Sequence, residues 1–146
     1  MKVKDILAEK GTRVVTTNKK ILLVDVMSLF IANNIGSLVV VDKHNKIMGI
    51  VAPFDVLKAV HSDPGNISSM MVSEVMTEDV IVATPEDDTD ALLAIMTKNR
   101  IRHIPVIDDG KLAGLVSIGD VVKAQLTVQH VQIHYLKEFI EGKYPA

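Results

Sequence analysis

The chain has 146 residues, nearly half of them apolar, with 16 Lys and Arg set against 18 Asp and Glu for a net charge of −2. That balance argues against a nucleic-acid-binding surface, which shows as a basic patch, and with no Cys there is no disulfide, thiol nucleophile or thiolate metal site. The opening MKVKDILAEKG is charged throughout, and no apolar run approaches the ~20 residues that span a bilayer, so a soluble, cytoplasmic protein without membrane insertion is expected.

A short apolar piece at 3–7 leads the chain. Residues 14–17 read as a strand, and Asn18 as the N-cap of a helix over 21–32 with Leu22, Val26, Leu29 and Phe30 apolar. Strands follow at 38–41 and 47–51, joined by a polar turn at 42–46. Pro53 suits the first position of a helix running to 60. Residues 61–66 are rich in residues that punctuate regular structure.

The same order then returns. A second apolar piece lies at 72–76. Residues 80–83 are predicted as a strand. Thr84, Pro85 and the carboxylates after them read as a helix start, with Ala91, Leu92, Ile95 and Met96 on one face. Strands at 104–107 and 112–117 flank the turn at 108–111, where Gly110 can supply a positive φ. A helix opens near Ile118 and carries Val121, Val122 and Leu126.

The two halves are copies of one unit: residues 47–55 read IMGIVAPFD and residues 112–120 read LAGLVSIGD. The predicted fold class is α/β (α+β), two β-α-β-β-α repeats at 1–62 and 70–125, a linker at 63–69 and a C-terminal helical extension over 126–146. A unit of about 60 residues has a marginal core, so the copies should pack on each other. The extension carries Val128, Val131, Tyr135, Leu136, Phe139 and Ile140, a helical stripe that suits either its own chain or a dimer contact.

Ser117-x-x-Asp120 reads in two ways. Before an apolar helix it is a capping-box signature, and the same geometry offers a phosphate-friendly helix N-terminus beside a carboxylate able to accept both hydroxyls of a ribose. The first copy has Ala52 and Asp55, keeping the carboxylate and losing the hydroxyl. Arg102 and His103 stand before Ile104 and Pro105, either solvated or facing an anion. Gly36, Ser37 and Leu38 hold those places in the first copy, without a cation. The run Glu86, Asp87, Asp88, Asp90 suits a solvated helix start. His130 and His134 lack a third ligand, so no metal site is expected.

The pattern R-H-I-P-V-I-D at 102–108, followed by L-x-G-L-V-S-x-x-D at 112–120, resembles the cystathionine-β-synthase (CBS) domain, and two in tandem resemble a stand-alone Bateman module. V-M-T at 75–77 fits as well, and the likeness runs over roughly residues 3–125. It is weaker in the first copy, where Ala52 replaces the usual Ser or Thr and Val39 the usual Pro. The resemblance implies two units around a pseudo-two-fold axis with two clefts that take adenosine compounds. Carried over, Asp120 and Ser117 hold ribose, Arg102 and His103 face phosphate, and Thr84, Ile104 and Pro105 line the pocket. Asn18, Ser37, Leu38, Ala52 and Asp55 form a second, weaker site. It further implies a homodimer and a regulatory, non-catalytic module with no obligatory cofactor. Such modules are commonly fused to an enzyme, transporter or channel, and here an unknown protein partner would respond. A pure interaction module with vestigial pockets, and less so a nucleotide-processing enzyme, are the alternatives.

Overall fold

Each copy needs more apolar surface than its own helices and strands supply, and the way it is supplied shapes the molecule. The computed structural model describes residues 1–142. In chain order the elements are α1 (Val3–Lys10), β1 (Thr16–Thr17), α2 (Leu23–Asn33), β2 (Leu38–Val41), β3 (Ile47–Val51), α3 (Pro53–Ser62), α4 (Thr89–Asn99), β4 (His103–Asp108), β5 (Lys111–Ser117) and α5 (Ile118–Ile140). Short 3-10 turns at Pro64–Ser69 and Val72–Glu74 join the copies. The architecture is mixed α+β, with β1-β2-β3 in one sheet and β4-β5 in the other.

The two hairpins match in detail. β2 and β3 pair antiparallel with a register shift between Val40 and Val41, and β4 and β5 do so with a shift between Val106 and Ile107. β1 adds to β2 in parallel, Thr17 opposite Val40. The expected strand at 80–83 contracts to a single parallel bridge between Ala83 and Val106, held by Ala83 N–H on the Pro105 carbonyl and Ile107 N–H on the Ala83 carbonyl. The Asp108–Lys111 turn has Asp109 and Gly110 at positive φ, 53° and 76°, the backbone that favours Gly in tight hairpins.

The lead segments are exchanged. Val3, Ile6 and Leu7 of α1 pack into the core of the second copy with Leu92, Met96, Ile104, Val116 and Val121. Val72, with Met70, Val75 and Met76 around it, packs into the first copy's core with Leu23, Val26, Leu38 and Val51. Lys2 bridges Asp88 while Met71 bridges Leu22, both antiparallel. This reciprocity is what a pseudo-two-fold pair requires, and it removes the shortfall of a small core. It also explains the repeated glycine. A Cβ on Gly114 would stand 2.7 Å from Leu7 Cδ2, and one on Gly49 2.6 Å from Met76 Sδ, so each lead side chain sits directly on the other copy's strand.

Both expected helix starts move for the same reason. Val3 and Lys4 donate their N–H groups to the carbonyls of Asp87 and Pro85, each at 2.9 Å, and Thr89 N–H goes to the Met1 carbonyl. The orphan donors at the start of α1 are thereby satisfied, residues 85–88 stay extended or turned, and Asp88 rather than Thr84 is the N-cap of α4. Thr84 and Asp87 close a turn, with Thr84 N–H on Asp87 Oδ2 at 2.8 Å. In the first copy Val72 N–H donates to the Ile21 carbonyl and Leu23 N–H to the Met70 carbonyl. Asn18 closes a turn by accepting Lys20 N–H at 2.8 Å, and Leu22 becomes the N-cap.

α5 is one continuous helix of 23 residues, so the last helix of the second copy and the extension are a single rod. Val121 and Ala124 are buried on the core, whereas Leu126, Val131, Ile133, Tyr135, Leu136, Phe139 and Ile140 are exposed. Tyr144, at the end of the expected extension, lies outside the described residues. No described helix is long and apolar enough to cross a membrane.

Candidate ligand-binding cleft

β5 ends at Ser117, and extended backbone there (φ −93°, ψ 161°) turns the chain into α5. Ser117 Oγ accepts Asp120 N–H at 3.1 Å, and Asp120 Oδ2 accepts Ser117 N–H at 2.8 Å, a reciprocal capping box. Lys10, in the last turn of α1, reaches the same oxygen. Its Nζ lies 2.7 Å from Asp120 Oδ2 and 2.9 Å from the Leu115 carbonyl. Burial pushes the Asp120 carboxyl up, but the Lys10 ammonium and the Ser117 donors together outweigh it and hold it below the ordinary carboxylate value. The group is an anion at neutral pH.

A cleft opens beside it, lined by Met1, Ile6, Lys10, Asp120, Ala124 and Thr127 among others. The first copy has its counterpart, lined by Asp55, Ala59, Ser62, Met70 and Val75. Asp55, Lys58, Ala59 and Ser62 of one cleft answer in sequence to Asp120, Lys123, Ala124 and Thr127 of the other. The two are not equally equipped. Asp55 Oδ2 accepts Ala52 N–H at 2.8 Å, yet Ala52 has no hydroxyl to return. The cation paired with Asp55 is Lys58 of the same helix, at 3.8 Å.

His103 begins β4 and lies against the first copy. A Cβ on Gly36 would stand 2.9 Å from His103 Cε1, so the bare glycine is what lets the imidazole rest there. Burial lowers the His103 pKa, the charges of Lys10 and Arg102 lower it further, and Asp120 opposes them. The ring is therefore neutral at pH 7. Arg102 is exposed, and its carbonyl accepts Ile118 N–H at 2.8 Å, tying the start of β4 to the start of α5.

The remaining expected residues are spread between core and surface. Ile104 and Pro105 are buried, Ile104 in the second copy's core, and Thr84 is exposed on its turn. In the first copy Asn18 is exposed, Leu38 is fully buried, and Ser37 is 4% exposed with a buried Oγ that lacks a hydrogen-bond partner. Among the described residues no three His, Cys, Asp or Glu side chains cluster to hold a metal. Lys10 was not singled out by sequence, and Gly36 was read only as a place without a cation, not as the seat of the His103 ring. Lys10 stands 110 residues from Asp120, and only the exchange of lead segments brings them together.

The CBS-domain family model matches residues 3–62 and 72–127, one repeat in each copy. The chain belongs to the CBS-domain family. It is 36% identical over 124 residues to the mitochondrial CBS domain-containing protein CBSX3 of Arabidopsis thaliana, covering 82% of this chain and 60% of that relative. An L-aspartate semialdehyde sulfurtransferase of Methanocaldococcus jannaschii is 32% identical, but the match spans only 22% of it. The chain thus spans well under the full length of these relatives. Among solved structures, the CBS-domain protein ATU1752 of Agrobacterium tumefaciens superimposes with a TM-score of 0.82 at 39% identity, covering 86% of this chain and 99% of that one. The CBS domain pair of MJ0100, in complex with 5′-methylthioadenosine and S-adenosyl-L-methionine, gives 0.75 at 30% identity, covering 85% and 94%.

Proposed function

We propose that this CBS pair is a non-catalytic regulatory module that binds an adenine nucleotide in the cleft at Asp120. The observation that carries the reading is the ionised Asp120 carboxylate, fixed by its capping box at the mouth of α5, paired with Lys10 and close enough to His103 for its charge to act on the ring. A carboxylate accepts hydrogen bonds from a vicinal diol, and nearby cations suit phosphate. The adenosine compounds bound by the MJ0100 pair support the ligand class. Ser117 fixes Asp120, Arg102 and His103 face the phosphate side, and Ile104, Pro105 and Thr84 shape the second copy around it. Asp55, with Ala52, Ser37, Leu38 and Asn18 in its copy, gives a weaker site, because Ala52 cannot return a bond and Gly36 and Ser37 bring no cation.

Signalling follows from the exchanged leads. A ligand that contacts α1 and α5 touches both copies, so it favours whichever relation between them it binds more tightly. The exposed stripe on α5 is the surface through which a second copy of the chain, and then a partner protein, would read that relation. Calorimetric titration of AMP, ADP, ATP and S-adenosylmethionine tests the reading. Binding near one site per chain, lost in Asp120→Ala, is expected. Absence of heat from all four, with an intact dimer, would favour the second reading, an interaction module acting through the apolar rod of α5.

A further inference from the structure

Lys10 holds the oxygen that a ribose needs. Asp120 Oδ2 already accepts Ser117 N–H and Lys10 Nζ, at 2.8 and 2.7 Å. A vicinal diol engages a carboxylate best with one hydroxyl on each oxygen, so the second hydroxyl competes at Oδ2. The two resident donors differ in how readily they yield. Ser117 N–H is part of the cap that starts α5, and moving it opens the helix. Lys10 sits at the end of a flexible four-carbon stem and is exposed. The lysine therefore gives way.

A displaced ammonium on α1 remains in the cleft it lines. It keeps the Leu115 carbonyl but has lost its carboxylate, and Glu9, the other acid lining the cleft, is already paired with Lys123 at 3.4 Å. An anion on the ligand restores its pairing. The first copy lacks a cation at each of the corresponding places. The sequence register that sets Val3 against Val72 puts Asp79 at the place of Lys10, with Gly36 and Ser37 at those of Arg102 and His103.

We propose that Lys10 determines the ligand class of the Asp120 cleft: it clamps the carboxylate in the unliganded protein and turns to the ligand's phosphate once ribose takes its place, selecting adenosine phosphates over uncharged or sulfonium adenosine compounds. This rests on the reading of Asp120 as the ribose contact. Lys10 is thus a specificity residue, and α1 is the element that registers whether a phosphate has arrived.

The test is calorimetric titration of AMP and of adenosine into wild type, Lys10→Met, Lys10→Arg and Asp120→Ala, with circular dichroism confirming that each variant is folded. Wild type should prefer AMP by about tenfold or more, the scale of one hydrogen bond to a charged group. Lys10→Met should lose most of that preference, weakening AMP while adenosine binds as well as before or better. Lys10→Arg should keep the preference. An unchanged AMP-to-adenosine ratio in Lys10→Met, with Asp120→Ala still abolishing binding of both, overturns the role of Lys10 and leaves the ribose reading standing. Wild-type affinity in Asp120→Ala, or no binding of either probe by wild type, overturns the ribose reading and this proposal together.

Discussion

At Asp120 a structural demand and a proposed functional one fall on the same carboxylate. Capping requires Oδ2 to accept Ser117 N–H, and the same oxygen is shared with Lys10, which lines the cleft with Asp120. Removing the side chain in Asp120→Ala should cost about 1 kcal/mol, the usual scale for a lost cap, measured by urea denaturation, while binding falls far more. Because the folded state lowers the Asp120 pKa, its contribution is full above the ordinary value of 3.8 and is lost as pH falls through the depressed one. The stability gap between wild type and Asp120→Asn should accordingly close below pH 3.8. His103 works in the same direction for a different reason. Its pKa is lowered from 6.5 mainly by burial, so the unfolded chain takes up protons first and stability declines as pH falls below 6.5. His103→Gln should remove that decline in a pH series of thermal melts. Gly36→Ala forces the His103 ring aside, and the cost, about 1–3 kcal/mol on the scale of overpacking, should largely vanish in a His103→Ala background. Ser117 and Asp120 were legible in the sequence because a capping box is local, three residues apart. The roles of Lys10 and Gly36 were not, because each acts across the boundary between copies.

Among the elements, the hairpins and their flanking helices could be read from alternation, turn residues and the repeat itself. The helix starts could not. Thr84-Pro85 and Asn18 carry strong local start signals, yet in both copies a lead segment from the other half claims the backbone just before the helix. Local propensity yields to that pairing because the lead's own donors would otherwise be buried without partners. The repeated glycine was visible as a motif, and its cause lay in Leu7 and Met76. Gly114→Ala should destabilise through contact with Leu7, and Leu7→Ala, itself costly as a core truncation, should make the added methyl nearly neutral. A double-mutant cycle by chemical denaturation reads this coupling.

Taken whole, the molecule is two unequal clefts on one near-symmetric frame. Leu126, Val131, Ile133, Leu136, Phe139 and Ile140 are exposed along α5, and a second copy is the proposed cover. Truncation after Gln125 should shift the protein toward monomer in analytical ultracentrifugation, and an unchanged dimer would move the interface elsewhere. Composition spoke to none of this pairing, since an apolar helix face is written alike for an intramolecular and an intermolecular neighbour. The central claim, that Asp120 in the second copy holds the ribose of an adenine nucleotide, is tested most directly by titrating AMP into wild type and Asp120→Ala side by side. Saturable binding near one site per chain that disappears in the variant is the expected result. Equal affinity in the two proteins would contradict it.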